Sequence, residues 1–371
     1  MLSSIFVSSL FTAVLANPKL VRRDTCVATE ASQIAAAVAS CTEITLQDIA
    51  APDGQAIDLS DLKPNSVVTF AGLTTFGFVD SKDFVPITAG GKNVTITCVS
   101  GAIIDGNGQA YWDGLGSNGG ANKPNHFFKV TEMTGGSVIK NLFIRNWPAH
   151  GFYISGSSDL TLRDMILDNS AGDAPNDRSD GKEAAHNSDG FGIASSNNTL
   201  ISNCRVINQD DCVAVTSGDN ITVEKMYCSG THGLSIGSIG GKANNVVTNI
   251  LFQDSEIVNS ENGARIKTNE GTTGTIANIT YKNIVMNNIT KYGIDVQQDY
   301  LNGGPTGNPS NSVSISNVLF QNVTGTVQAQ AHNYYVLCGD GSCSNFEFKD
   351  VKITGGEDGT ECNYPPSGCP A

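Results

Sequence analysis

The amino-acid sequence predicts an all-β protein built as a single parallel β-helix, in which short strands stack into successive coils. Two observations predict this fold: a composition that suits strands and turns, and a motif that repeats along the chain. Only 16% of the 371 residues are charged and 40 are glycine, whereas long surface helices favour Glu, Lys, Arg and Ala. Such a composition fits short strands joined by many turns.

The repeated motif is a short apolar alternation followed by Asn or Asp and then another apolar residue. Its steps range from 22 residues, between Asn203 and Lys225, to 39 residues, between Asp164 and Asn203. Such steps are too short for strand–helix–strand units and too irregular for propeller blades, so they indicate coils of a parallel β-helix with loops inserted at the turns. We expect inward apolar side chains to pack between coils and Asn to stack on Asn at the bends. The copies fall at Asn141, Asp164, Asn203, Lys225 (the weakest), Asp254, Asn283, Asn322 and Asp350.

The N-terminal residues are predicted to lie outside this fold. Residues 5–16 form a short apolar run that ends in Val-Leu-Ala, which fits signal-peptidase cleavage and is too short to span a bilayer. A dibasic pair then ends the segment 17–23. We therefore expect a signal peptide at 1–16, a propeptide at 17–23 and one secreted domain at 24–371.

One helix is predicted, from Val27 to Ser40, because this Ala-rich stretch carries apolar residues at helical spacing. It would cap the open N-terminal end of the solenoid and block edge pairing. Two segments rich in Gly, Pro, Asn and Asp, roughly 168–187 and 298–311, are predicted to be long loops beside the functional site, since loops of this size are commonly functional. The sequence contains no internal linker, so we expect a single domain.

The ten cysteines fit secretion. Eight of them form four local couples that would each close a small loop, whereas Cys98 and Cys204 could either pair or remain as buried thiols. A metal cluster is the competing interpretation, but the sequence has no Cys-x-x-Cys pair. Six Asn-x-Ser/Thr acceptors fit a glycosylated surface. The couples are Cys26/Cys41, Cys212/Cys228, Cys338/Cys343 and Cys362/Cys369.

The chain is acidic. Its formal net charge is −14, and removing residues 1–23 would take away three cations and no acid, which gives about −17. Such a surface disfavours nucleic acid and anionic membranes as partners. It also disfavours an anionic substrate, unless the binding cleft carries local cations. The plain alternative is that acidic secreted proteins stay soluble at low pH.

Three short motifs lie at near-constant spacing: Asn-Ser-Asp-Gly at 187–190, Asn-Gln-Asp-Asp at 208–211 and Gly-Thr-His-Gly at 230–233. Their third residues are 21 and 22 residues apart. If one coil takes about that many residues, these side chains stack on one face of successive coils, where parallel strands lie roughly 4.8 Å apart. Carboxylates and an imidazole gathered in this way indicate an acid–base site.

Glycosidic hydrolysis needs two carboxyl roles, one that protonates the leaving oxygen and one that activates water or attacks carbon. Asp210 and Asp211 beside Asp189 supply crowded carboxylates, and such crowding raises the pKa of at least one of them. His232 can hydrogen-bond the cluster and tune its protonation. An Asp-Asp pair alone is more often a solvated turn, and a lone histidine is more often structural, so the in-phase spacing is what favours catalysis.

Further along the chain, Arg265 and Lys267 stand two residues apart and so on the same face of a strand. On an acidic protein an outward Arg and Lys suggest carboxylate recognition, and a salt bridge is the alternative. Tyr300 could pack against a sugar ring or could be an ordinary loop tyrosine.

These motifs, in this order, resemble glycoside hydrolase family 28 and, within it, the fungal endopolygalacturonases. The resemblance extends over essentially everything after the leader, including the Asp-Gly-Asn-Gly segment at 105–108, the Gln-Gln-Asp-Tyr segment at 297–300 and the C-terminal cysteine couples. It implies a right-handed parallel β-helix that cleaves α-1,4-linked galacturonan with inversion.

The resemblance also implies roles for the acid–base residues. Asp210 would be the general acid, and Asp189 and Asp211 would hold and activate the water. His232 would maintain the charge state and hydrogen bonds of the acid.

The same resemblance implies how the substrate is bound. Arg265 and Lys267 would bind substrate carboxylates around the scissile bond, and Asn187 and Tyr300 would position the sugars. No metal and no organic cofactor is implied. The expected partners are polygalacturonan or pectin and, for a secreted monomer, plant polygalacturonase-inhibiting proteins.

Two positions depart from the family pattern. Ser188 stands where the family usually has Thr, and this change keeps the hydroxyl. Gly192 stands where the family usually has Asp, and the missing carboxylate puts subsite preference or turnover in question more than the type of reaction.

Three alternatives stay open. An exo-acting or rhamnogalacturonan-cleaving relative would need loops that close one end of the cleft, and this chain is short. A pectin or pectate lyase would share the β-helix but would want a basic residue as the base and often Ca²⁺. A non-catalytic β-helix that binds polysaccharide is favoured only by Gly192.

Overall fold

The protein is described by a computed structural model that covers residues 25–302, 304–357 and 360–370. The predicted signal peptide and propeptide lie outside the described residues. Over the described part, the chain forms one parallel β-helix, in which each coil stacks on the previous one through parallel strand pairs. The predicted fold class is therefore confirmed.

Within the described residues the strands form two sheets, a long sheet of 20 strands and a short sheet of 11. The long sheet wraps around a bend in each coil, and the short sheet takes one strand from each coil. The long sheet comprises β1 (Thr25–Ala28), β2 (Glu43–Gln47), β3 (Ala50–Ala51), β5 (Val67–Ala71), β6 (Leu73–Phe76), β8 (Thr95–Cys98), β9 (Ile103–Asp105), β11 (Ser137–Lys140), β12 (Phe143–Arg145), β14 (Ser158–Arg163), β15 (Ile166–Asp168), β17 (Ser196–Ser202), β18 (Arg205–Ile207), β20 (Gly218–Glu224), β21 (Tyr227–Ser229), β23 (Val246–Val258), β25 (Gly274–Ile289), β27 (Val313–Val327), β29 (Cys343–Lys349) and β30 (Lys352–Thr354). The short sheet comprises β4 (Ile57–Leu59), β7 (Ile87–Lys92), β10 (His126–Thr134), β13 (His150–Ser155), β16 (Phe191–Ala194), β19 (Val213–Val215), β22 (Leu234–Ile239), β24 (Asn262–Asn269), β26 (Tyr292–Tyr300), β28 (His332–Leu337) and β31 (Glu361–Cys362).

The core runs along the axis of the coils. Inward residues alternate with outward ones along each strand and meet the equivalent residue of the next coil, as when Ile250 of β23 faces Ile279 of β25. Aromatic rings stack in the same way. Tyr281 lies between Phe252 and Phe320, with ring centroids 4.8 and 5.2 Å apart. The predicted packing of apolar side chains between coils is confirmed.

The bends are formed by the predicted Asn and Asp positions. All eight repeat positions have positive φ, between 50° and 59°, which is the left-handed region that Asn and Asp adopt more readily than most residues. Their side chains also form hydrogen bonds from coil to coil. Asn283 Nδ2 donates to Asp254 Oδ1 at 2.7 Å, and Asn322 Nδ2 donates to Asn283 Oδ1 at 3.0 Å. We call this series the corner ladder. Where the ladder continues, an Asn amide of one coil donates to an Asn or Asp side-chain oxygen of the coil before it.

The predicted helix from Val27 to Ser40 is wrong at its N-terminal end. Residues 25–28 form β1 instead, because they pair with β2, and Cys26 is joined to Cys41 at the end of the helix. A short 3₁₀ turn, Ala31–Gln33, leads into α1, Ile34–Ser40. Helix α1 packs against β1, β2 and β4, the first strands of both sheets, so its predicted capping position is confirmed. Three further 3₁₀ turns lie in loops, at Gly108–Ala110, Gly116–Asn118 and Ser170–Gly172.

The cysteine predictions are confirmed where they were definite. The four predicted couples are all disulfides, and Cys98 and Cys204 are both free and buried. Among the described residues, the helices all fall short of the length and apolarity needed to cross a membrane.

Candidate active site

A cleft runs over the outer face of the short sheet and holds a cavity of about 470 Å³. It lies between the loop around Asn118 on one side and the end of β26 on the other, and Asn302 Nδ2 donates to Asn118 Oδ1 at 3.3 Å between these walls. Six of the eight predicted site residues line this cavity. They are Asn187, Asp189, Asp210, Asp211, Lys267 and Tyr300.

Strand register explains why residues from three coils meet here. Phe191 of β16 pairs with Val213 of β19, which pairs with Leu234 of β22. The residues two positions earlier, at 189, 211 and 232, therefore lie on neighbouring coils. Asp210 stands one residue before the in-register position, so the strict stack runs through Asp211. The predicted cluster nevertheless forms, and carboxylate oxygens of Asp189, Asp210 and Asp211 lie within 4.8 Å of one another.

Asp210 is held by donors on every side. His232 Nδ1 lies 3.2 Å from Oδ1, the Asp211 backbone N–H donates to the same oxygen at 2.7 Å, and Asn187 Nδ2 donates to Oδ2 at 3.1 Å. Burial raises the pKa of this carboxyl, but the charge and hydrogen bond of His232 and the charge of Lys267 prevail and lower it. Asp210 is therefore ionised in the free protein.

Asp211 has the opposite balance. Lys267 Nζ lies 2.8 Å from its Oδ2, and the Ser235 hydroxyl donates to Oδ1 at 2.6 Å. Burial and the charges of Asp210 and Asp189 nevertheless raise the pKa of Asp211 above its ordinary value, against the attraction of Lys267. The pKa values of the two adjacent carboxyl groups are thus shifted in opposite directions, as is found in acid–base centres.

His232 links the cluster to a second carboxylate. Its Nε2 lies 3.4 Å from Glu261 Oε2, and Lys291 Nζ lies 3.3 Å from Glu261 Oε1. Burial lowers the pKa of His232, but Asp210, Glu261 and Asp211 outweigh it and raise that pKa to about 9. His232 is therefore an imidazolium at acidic and neutral pH.

Arg265 and Lys267 share a face, as predicted, but they are not outward cations free for substrate. Arg265 Nε lies 3.0 Å from Asp295 Oδ2, and its side chain is only 4% exposed. Lys267 lines the cavity but is already paired with Asp211. Both cations lie near the ring of Tyr300, at 5.5 and 5.3 Å from its centroid. The predicted salt-bridge alternative therefore describes both residues in the free protein.

Tyr300 is the last residue of β26 rather than a residue of an irregular loop, and it is half-buried. The predicted loop at 298–311 therefore begins three residues later than expected. The predicted loop at 168–187 carries the 3₁₀ turn Ser170–Gly172 and reaches the cavity through Asn187.

Ser188, Asn208 and Gln209, which belong to the same motifs as the aspartates, have structural roles. Ser188 Oγ donates to Gln209 Oε1 and accepts the Gln209 backbone N–H, both at 2.8 Å. Asn208 Nδ2 donates to the Ser188 and Asp211 carbonyl oxygens at 2.6 and 3.0 Å. These bonds join the two aspartate-bearing turns, which explains why a hydroxyl at 188 suffices.

Gly192 opens the floor of the cleft. A Cβ placed there would meet only the Phe152 carbonyl oxygen, at 3.4 Å, so a side chain has room. Together with Ala214 it lines the cavity next to the acids. The missing carboxylate therefore leaves free space rather than a rearranged backbone.

Sequence reasoning missed His150, Ser235 and Glu261, which contact the acids or His232. His150 and Glu261 lie 39 and 29 residues from their partners Asp189 and His232 and so break the regular spacing, whereas Ser235 keeps the spacing but belongs to none of the three motifs. For His150, the sequence offered one indication, which is that the chain has only five histidines.

The three aspartates also have the oxygen ligands that hard cations such as Ca²⁺ prefer. However, Lys267 and His232 already supply positive charge at hydrogen-bond distance from two of them. These neighbours oppose a divalent cation at the centre of the cluster.

A buried cluster of carboxylates, tuned by an imidazolium and a lysine on a parallel β-helix, has the make-up of an acid–base catalytic centre. A family model described as glycosyl hydrolases family 28 matches residues 41–371, and the chain belongs to this family.

Relatives agree with the family. The chain is 59% identical to the probable endopolygalacturonase D of Emericella nidulans, over 93% of this chain and 67% of that protein. It is 56% identical to a polygalacturonase of Fusarium fujikuroi, over 98% of this chain and 99% of that protein. Among solved structures, endopolygalacturonase I from Stereum purpureum complexed with two galacturonate aligns with a TM-score of 0.76 and 30% identity, over 91% of this chain and 97% of that one.

Proposed function

We propose that the protein is a secreted endopolygalacturonase that hydrolyses α-1,4-galacturonosyl linkages in de-esterified pectin with inversion. The observation that carries the proposal is the cluster of Asp189, Asp210 and Asp211 in one cleft, with carboxylate oxygens of all three close together. The names of the relatives and the galacturonate complex of the structural neighbour support the same substrate class.

In this mechanism Asp210 donates a proton to the glycosidic oxygen as the bond to the anomeric carbon breaks. The free Asp210 is ionised, so the proton comes from the pair that it forms with the His232 imidazolium. Water adds to the anomeric carbon from the opposite face and gives its proton to Asp189 or Asp211. Lys267 holds Asp211 while this charge moves.

Substrate binding is assigned to the cations and to two polar residues. When a galacturonate carboxylate enters, Lys267, which lines the cavity, can share its charge with it. Arg265 would add positive potential from below the surface, because it lies behind the ring of Tyr300 and is paired with Asp295. Asn187 and Tyr300 orient the sugar ring from opposite walls. Local cations of this kind are what an acidic protein needs in order to bind a polyanion.

Inversion is inferred from the family resemblance and not from distance. Inverting carboxyl groups generally stand roughly 6.5–9.5 Å apart and retaining pairs about 5–5.5 Å, whereas oxygens of the three aspartates here lie within 4.8 Å. We infer that the water lies between Asp189 and Asp211. The stereochemistry of hydrolysis is then not set by the distance between any one pair of carboxyl groups. The anomeric configuration of the first product, followed by proton NMR, tests this inference.

The experiment that tests the function is digestion of polygalacturonic acid by the purified protein at mildly acidic pH. We expect new reducing ends, a rapid fall in polymer length and no ultraviolet absorbance from an unsaturated product. Rising absorbance would identify a lyase, and release of monomer or dimer alone would identify an exo-acting enzyme. Lack of any product would favour a polysaccharide-binding β-helix. Binding to plant polygalacturonase-inhibiting proteins, the monomeric state and the signal peptide stay predictions.

A further inference from the structure

The acids lie in a row of titratable residues that precede adjacent strands of the short sheet. His126 pairs with His150, and the register of β13 with β16 places His150 beside Asp189. The row continues through Asp211 to His232. The carboxylates are thus flanked by a histidine on each side, from the coil before and the coil after.

The two flanking histidines make matching contacts. His150 Nδ1 lies 3.2 Å from Asp189 Oδ1, and His232 Nδ1 lies 3.2 Å from Asp210 Oδ1. Their side chains are 24% and 23% exposed, so the two pairs are also equally sheltered from solvent. His150 lines the same cavity as the three aspartates. The His232–Asp210 pair has a role in the proposed mechanism, whereas the mechanism gives no role to the His150–Asp189 pair.

The neighbours of His150 favour a cation that donates to Asp189. On its far side, the ring of His126 lies 5.4 Å away and stacks on Tyr153 at 4.3 Å. Burial and the charges of His150 and Lys129 lower the pKa of His126 to about 4, so His126 is neutral and adds no charge of its own.

On its near side, His150 faces the acids. Burial lowers the pKa of His150, but the charge and hydrogen bond of Asp189 and the charges of Asp210 and Asp211 raise it overall. Its backbone is fixed as well, because its N–H donates to the Asn125 carbonyl at 3.1 Å and the Gly151 N–H donates to the Asp189 carbonyl at 2.8 Å.

We propose that His150 is a positioning residue for hydrolysis, whose Nδ1–H donates to Asp189 Oδ1 and fixes that carboxylate in the orientation that activates water. The inference rests on the proposed function, because it assigns Asp189 to the water. Since His150 would hold a catalytic group and not the sugar, its loss should lower kcat and leave KM almost unchanged.

The test compares His150→Leu, which removes the donor, with His150→Asn, whose amide nitrogen can take the place of Nδ1. We expect the Leu variant to lose roughly 10- to 100-fold in kcat, as for other residues that orient a catalytic ligand, with KM changed by no more than about twofold. The Asn variant should recover most of that loss. His332→Asn is the matched control, since His332 continues the same row beyond the cavity and should leave kcat unchanged.

Full kcat in His150→Leu would overturn the proposal, and so would a rise in KM with unchanged kcat, which would make His150 a substrate contact. If the Leu variant does not fold, His150→Ala replaces it, because Ala is small, offers no donor and adds no charge to the cluster. Asp189→Asn separates the two hypotheses. An active Asp189→Asn refutes the role of Asp189 itself, whereas an inactive Asp189→Asn beside a fully active His150→Leu refutes only the role of His150.

Discussion

The corner ladder and the acid row both depend on strand register but serve different purposes. The acid row consists of His150, Asp189, Asp211 and His232, which are in register, together with Asp210. Both bring equivalent residues of adjacent coils within hydrogen-bond distance through strand register. The ladder stacks Asn amides on Asn or Asp oxygens of the coil before, such as Asn322 on Asn283. The acid row stacks charged groups that satisfy one another only through cations such as Lys267 and His232. Strand register brings residues together in both regions, and the type of side chain decides whether they serve stability or catalysis.

The largest expected effect comes from the same isosteric change made in both regions. Asp210→Asn should lower kcat by roughly 10³-fold or more, because it removes the carboxylate that passes the proton to the leaving oxygen, while the variant should still fold. Asp254→Asn is the matched control in the corner ladder, where an amide oxygen can still accept from Asn283. It should keep full activity. Near-normal kcat in Asp210→Asn would remove Asp210 from the chemistry.

The buried ion pair gives the next largest effect. Lys267→Met leaves Asp211 buried without its cation, which should cost about 3 kcal/mol of unfolding free energy and also weaken substrate binding. Lys291→Met breaks a half-exposed pair with Glu261 and should cost less than about 1 kcal/mol. Urea unfolding of both variants measures the difference. Equal costs would mean that Lys267 is less sheltered than its contacts imply.

The pH dependence of stability should come from the acid row and not from the ladder. The pKa of His232 is raised in the folded protein from 6.5 to about 9, so its contribution is complete below about pH 6.5 and is lost as pH rises to about 9. Urea unfolding between these limits should show this decline in the wild type and a shallower one in His232→Gln. An identical slope in the two proteins would contradict the assigned His232–Asp210 interaction.

The smallest expected effect concerns the corner ladder. Asn283→Ala removes two ladder hydrogen bonds and puts alanine at a φ of 53°. It should cost about 1–3 kcal/mol of unfolding free energy without altering kcat. Asn283→Gly loses the same bonds but tolerates the backbone, so it should be the more stable of the two variants. The reverse order would mean that the left-handed bend is not strained for alanine.

The same contrast explains what sequence could predict. The bends were predictable because each depends on a local preference of Asn or Asp, and the acids were predictable because three coils happen to have similar length. The pairing of Thr25 with Glu43 was not, since it depends on a strand partner beyond the helix. Nor was the burial of Arg265, which follows from its pairing with Asp295 on the next coil. The contact between His150 and Asp189 was not predictable either, because 39 residues separate them in the sequence.

The corner ladder also bears on how such a protein can change over generations. The coils are held together chiefly by their parallel strand pairs and by the hydrogen bonds at their bends, so much of each cleft wall is not needed to keep the strands in register. A lineage could lengthen, shorten or replace the segment at 168–187 while the strands on either side, β15 and β16, keep their partners in the neighbouring coils. New substrate preferences could then arise by insertion and deletion at the walls, with the acid row inherited intact.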